Sequence, residues 1–154
     1  MATKEKTNLL LEVHNLKKYF PVRKGILRRV VAHVKAVDDV SFFINKGETL
    51  GMVGESGCGK TTVGRTLRRL LEPTDGSVTL HTDAGPVELF QVGGRALKSL
   101  RKELQIIFQD PYSSLNPRMT VGDIISEPLV IHKIGSPKER EARVAELLEA
   151  VGLN

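Results

Sequence analysis

Residues 54 to 61 read Gly54-Glu55-Ser56-Gly57-Cys58-Gly59-Lys60-Thr61 and fit the spacing G-x-x-x-x-G-K-[ST]. That spacing belongs to the P-loop, a turn whose backbone N–H groups point inward at phosphate oxygens. Each residue type answers a physical need. Gly57 and Gly59 let the backbone wrap an anion in conformations that a Cβ resists. The helix expected near Lys60 turns its positive dipole end toward the same anion. Lys60 adds a full charge for the β- and γ-phosphates, and the Thr61 hydroxyl suits Mg2+. The pattern implies a nucleoside triphosphate as ligand.

Cys58 is the only cysteine, so no disulfide can form within the chain, and no Cys/His group has metal-ligand spacing. Its place at a helix N-terminus makes it a candidate reactive thiol. Phosphoryl transfer needs no nucleophilic side chain, so Cys58 is given no catalytic role.

A second constellation begins at Ile106-Ile107-Phe108, which reads as a buried strand delivering Gln109 at its exit. The loop after it is polar and punctuated by Pro111 and Pro117. An amide oxygen at that point can ligate Mg2+, and an amide can orient an attacking water. On its own, a Gln after a strand is more often an ordinary strand-end residue.

The elements that position these groups are legible as an α/β pattern without internal repeats. Leu9 to Val13 reads as a first strand and Val34 to Ile44 as a second, with Pro21 to His33 a long excursion centred near Gly25. Thr49 to Val53 is the strand expected before the P-loop, and Thr62 to Leu71 the helix after it, buried through Val63, Leu67, Leu70 and Leu71. Ser77 to Leu80 and Val87 to Phe90 suit a hairpin. A basic helix over Ala96 to Lys102 precedes the strand Leu104 to Phe108. Thr120 to Asp123 has the form of a capping box, with Pro128 bending or ending the helix it opens. Ser136 as N-cap, Pro137 at N1 and Glu139 at N3 start a last helix lined by Val144, Leu147, Leu148 and Val151, which Gly152 stops. This order of elements implies a mixed sheet with helices packed on it.

At 154 residues the chain is about one domain long. It holds no apolar run of about 18 residues, so it does not cross a membrane by itself. The polar start, Met1 to Lys6, lacks a signal peptide's apolar centre. These bulk properties suit a soluble intracellular domain. The net charge of +5 is uneven: Lys17, Lys18, Arg23, Lys24, Arg28, Arg29 and Lys35 fall in one stretch that has no acid. Such a run suits nucleic acid, anionic headgroups or nucleotide phosphates, or is simply a solvated loop. Few aromatics and no Trp argue against a platform for stacked single-strand bases.

The loop "GESGCGKTT" and the segment "IIFQDPYSSLNPRMTVGDIISEPL" together resemble the ATP-binding subunit of an ABC transporter, and more narrowly the oligopeptide/dipeptide importer branch. The resemblance extends to "VHNLKKYF" and "VKAVDDVSFFINKGETLGMVGESG" and so covers nearly the whole chain. It implies a P-loop NTPase core of the ABC ATPase type, with an antiparallel β subdomain and the start of a helical subdomain. Residues 1–110 would form the β subdomain and core, and residues 111–154 the lid and helical start. Gly54, Ser56, Gly57, Gly59, Lys60, Thr61 and Thr62 then fall on the Walker A motif, with Cys58 among them. Gln109 falls on the glutamine that senses Mg2+ and the γ-phosphate. Asp110 to Thr120 matches the lid facing membrane permease subunits, which makes Tyr112, Leu115 and Arg118 candidate contacts. Phe20, or alternatively Tyr19, takes the role of the aromatic that stacks on adenine. ATP and Mg2+ are the implied ligands, and a second ATP-binding subunit closing head to tail is the implied partner. The implied seat is the cytoplasmic face of the membrane, without nucleic acid.

The family continues with an LSGGQ signature, a Walker B aspartate with a catalytic glutamate, and a switch histidine. None of these occurs in the 154 residues, and His14, His33, His81 and His132 do not lie in a switch context. The expected reading is an N-terminal, truncated piece that binds nucleotide with turnover near background. Parallel strands that flank the P-loop strand would be missing. A P-loop kinase or GTPase would need an acceptor pocket or Asn-Lys-x-Asp, which is absent. A DNA-repair ABC ATPase would share the loop and Gln109 but not the lid. A regulatory module without hydrolysis is the third alternative.

Overall fold

The computed structural model describes residues 8–26, 28–110 and 115–153. The chain forms two compact units, Met1–Ile106 and Ile107–Asn154.

The first unit is built on a four-stranded antiparallel sheet in the order β2-β1-β3-β4. Its strands are β1 (Leu9–Lys24), β2 (Arg29–Asn45), β3 (Asp75–Thr82) and β4 (Gly85–Glu88). Leu11 and Val13 point to the core at strand spacing, and a bulge between Val13 and Leu16 then shifts the inward parity by one, so that Leu16 is fully buried. The bulge has its own chemistry. Asn15 and Asp39 adopt φ of 48° and 59°, which their short side chains tolerate. The Asn15 amide donates to Asp39 Oδ1 at 2.8 Å, and the Asn15 backbone N–H donates to Ser41 Oγ at 2.8 Å. Val37, Val78, Leu80, Leu89 and Leu100 complete the core. The expected hairpin is present, but its ladder pairs Thr79 to Thr82 with Gly85 to Glu88, so the second strand ends before Leu89 rather than at Phe90.

Helix α1 (Lys60–Leu67) covers this sheet with Val63 and Thr66. Thr66 is completely buried, and its hydroxyl is satisfied by the Thr62 carbonyl at 2.7 Å. The helix ends four residues short of the expected Leu71. Arg69 departs to φ 51° and sends its guanidinium to the carbonyls of Leu89 and Val92, tying the chain to the far hairpin. Helix α2 (Gly94–Leu100) closes the unit through Leu100.

Three local expectations are corrected. The excursion from Pro21 to His33 is instead the outer part of a long β1–β2 hairpin, because β-branched Val30, Val31 and Val34 extend the ladder to a turn at Gly25. That turn is closed by Arg28 N–H on the Gly25 carbonyl at 3.0 Å. Thr49–Val53 and Leu104–Phe108 are not strands: each apolar run lacks a pairing partner among the described residues, and a strand exists only through its pairing.

The second unit contains α3 (Val121–Ile131) and α4 (Pro137–Ala150). Both begin with the expected capping boxes, Thr120 with Asp123 and Ser136 with Glu139. Pro128 lies inside α3 rather than ending it, since only the carbonyl four residues back loses its partner. Val144 is buried against α3, Leu147 and Val151 stay exposed, and Gly152 stops α4 at φ 74°.

Candidate functional site

The segment from Gly54 to Thr62 folds as one tight loop leading into α1. Gly54, Gly57 and Gly59 have φ of 155°, 84° and 101°. A backbone bond from Cys58 N–H to the Glu55 carbonyl at 3.3 Å closes the turn. Gly59 is also an anchor, because a Cβ there would lie 2.2 Å from the carbonyl oxygen of Ala36 in β2. The loop therefore ends pressed against the sheet, with no room for a side chain.

Gly59 is the N-cap of α1 and offers no side chain to cap it. The first N–H inside the helix ladder is that of Val63, bonded to the Gly59 carbonyl at 2.9 Å. Those of Lys60, Thr61 and Thr62 have no acceptor among the described residues. No acidic residue occupies the first turn. Lys60 curls back over the loop, its ammonium donating to the Gly54 carbonyl at 2.8 Å and the Glu55 carbonyl at 2.7 Å, with Cys58 Sγ at 3.5 Å. Backbone donors, a positive dipole end and one lysine thus converge, which is the chemistry of an anion nest. Ser56 and Thr61 are exposed beside it, and Cys58 is an exposed free thiol.

The fit to a metal rests on donor chemistry. Among the described residues no group of three His, Cys, Asp or Glu could hold an ion. The hydroxyl of Thr61 is a hard but neutral oxygen donor, of the kind that suits Mg2+ arriving with the phosphates of a nucleotide.

The two candidate aromatics have different surroundings. Tyr19 donates its hydroxyl to Asp38, with Lys35 5.3 Å from its ring centre. The Asp38 carboxylate holds the Tyr19 hydroxyl above its ordinary pKa. Phe20 carries no such bond, is exposed, and has only Lys18 over its ring at 4.9 Å. Local sequence did not point to the role of Asp38, although its spacing of three from Lys35 was visible. Phe20 lies in the same compact unit as the loop, whereas Gln109 belongs to the second unit, exposed in an irregular segment. Leu115 and Arg118 are exposed, and Tyr112 lies outside the described residues.

A family model described as ABC transporter matches residues 37–154. The chain is 53% identical over 153 residues to the oligopeptide transport ATP-binding protein OppF of Bacillus subtilis (strain 168), an alignment covering 96% of this chain and 46% of that protein. It is 50% identical over 144 residues to the glutathione import ATP-binding protein GsiA of Pectobacterium atrosepticum, covering 94% and 22%. The chain thus spans less than half the length of these curated relatives. Among solved structures, the dimeric post-hydrolysis ATP-binding cassette MJ0796 with ADP and Pi superimposes with a TM-score of 0.70 at 25% identity, covering 94% of this chain and 58% of that one.

Proposed function

This chain belongs to the ABC transporter family, and we propose that its Gly54–Thr62 loop binds the triphosphate of ATP. The observation that carries the reading is Lys60 folded over the loop, with the N–H groups of Lys60, Thr61 and Thr62 lacking acceptors among the described residues. A β- or γ-phosphate would take the ammonium from the Gly54 and Glu55 carbonyls, exchanging two neutral acceptors for an anionic one. The Thr61 hydroxyl would hold the accompanying Mg2+, which supplies charge neutralisation on the phosphates when bound. Exposed Phe20 suits adenine better than Tyr19, whose hydroxyl is engaged.

In the whole protein this site serves ATP hydrolysis that drives peptide import. The names of OppF and GsiA support that cargo class, and 50% or more identity supports carrying it over. The protein would sit peripherally on the cytoplasmic face, its 110–120 lid against permease subunits and a second cassette as partner. No described helix is long and apolar enough to cross a membrane.

The test is calorimetry of the chain with Mg·ATP. Binding should be lost or weakened at least tenfold in Lys60→Ala, with an unchanged melting temperature. Phosphate release by these 154 residues alone should stay near background. Equal heats from both proteins would refute the assignment.

A further inference from the structure

We propose that the tip of the β1–β2 hairpin is a docking surface for the anionic headgroups of a lipid bilayer. It goes beyond the nucleotide site and does not depend on it. Beyond Lys17, where β3 stops pairing with β1, the hairpin is a two-stranded ribbon that no third strand supports among the described residues. Such a ribbon is marginal in water without something to lie against.

Its charges divide into two sets. Near the base, Lys17 pairs with Asp75 at 3.3 Å and Lys35 with Asp38 at 3.0 Å. Toward the tip, Arg23, Lys24, Arg28 and Arg29 are exposed and have no ion pair among the described residues. The register places Lys24 directly opposite Arg29, a like-charge pair that weakens an isolated ribbon. An anionic surface would offset that repulsion by attracting both cations.

The apolar residues at the tip favour lipid over nucleic acid. Ile26, at the turn itself, is fully exposed, and Val30 and Val31 are about half exposed. Aliphatic side chains next to basic ones match a headgroup interface, where the former enter the acyl boundary and the latter meet phosphate. They offer a base neither a stacking face nor a hydrogen bond.

The experiment is vesicle sedimentation of the 154-residue chain. Binding is expected to phosphatidylcholine vesicles containing phosphatidylglycerol, with little to pure phosphatidylcholine, and high salt should abolish it. The pair Lys24→Gln with Arg29→Gln should weaken binding by more than about tenfold, since each basic residue near an anionic leaflet contributes roughly fivefold. Ile26→Ser should weaken it while keeping the salt dependence. Both variants change exposed tip residues, so melting temperatures should stay within a few degrees of the parent. Equal binding to the two vesicle types, or full retention by the Lys24/Arg29 variant, overturns the proposal. So does a DNA duplex that displaces the chain from vesicles at matched ionic strength.

Discussion

Gly59 meets two demands that no other residue type satisfies together. Its φ of 101° is a conformation that L side chains resist, and the space where a Cβ would stand is filled by the Ala36 carbonyl oxygen. Gly57 meets only the first, for nothing lies within 4 Å of its missing Cβ. The two positions therefore predict different outcomes. Gly57→Ala should cost about 1–2 kcal/mol of stability, the penalty of a left-handed alanine. Gly59→Ala should cost more, about 3 kcal/mol, because α1 must also back away from β2. In the same calorimetric titration Gly59→Ala should bind Mg·ATP the more weakly of the two. Equal melting temperatures for both would contradict the anchoring role of the Ala36 contact.

At the scale of elements, three arginines stand out, Arg68 and Arg69 just after α1 and Arg101 just after α2. Arg69 and Arg101 are partly satisfied, Arg101 by donating to the Arg69 carbonyl at 3.2 Å. Arg68 has buried Nε and Nη1 atoms without an acceptor, and burial, with Arg101 adding repulsion, holds its pKa below the usual arginine value. A charge in that position opposes folding. Arg68→Met keeps an unbranched apolar stem and removes the unsatisfied donors, so it should stabilise the chain by about 1 kcal/mol and raise its melting temperature by a few degrees. A fall of similar size in a calorimetric scan would mean that the guanidinium has favourable company. Local sequence could not foretell this cluster, since it forms only where α1, α2 and the β3–β4 hairpin meet. The same limit explains the strands. Capping boxes at Thr120 and Ser136 and the β3–β4 hairpin were legible because their signals are complete within a few residues. Whether Thr49–Val53 becomes a strand is decided by a partner elsewhere in the fold, which its alternation and hydrophobicity do not encode. The turn at Gly54–Thr61 was legible because its glycine spacing and its conformation are written in the same eight positions. The bond from Tyr19 to Asp38 was not, as it depends on the pairing of β1 with β2.

For the molecule as a whole, pH sets a window bounded by named pairs. The N–H of His81 sits 2.8 Å from Glu12 and, as the main cause, holds that carboxyl below its ordinary value of 4.5. The hydroxyl of Tyr19, then Lys35, does the same for Asp38, whose ordinary value is 3.8. The Gly76 N–H, then Lys17, depresses Asp75, and the Ser136 N–H depresses Glu139. A depressed carboxyl takes up its proton more readily when the chain is unfolded. Its contribution is therefore complete above the ordinary value and is lost as pH falls through the folded one. Lys17, Lys35 and Tyr19 are raised, so theirs is complete below the ordinary 10 to 10.5 and is lost as pH climbs through the folded values. A net charge of +5 at pH 7 grows as carboxylates are protonated, and self-repulsion steepens the acid limb. The melting temperature should be flat from about pH 6 to pH 9, fall below about pH 4.5, and fall again above about pH 10. Glu12→Gln keeps a hydrogen-bond acceptor for His81 while removing the charge, so it should lower the plateau and make the acid limb shallower. Scanning calorimetry across that range decides the matter: an acid limb as steep in Glu12→Gln as in the parent would assign the loss to general repulsion, not to the Glu12–His81 pair.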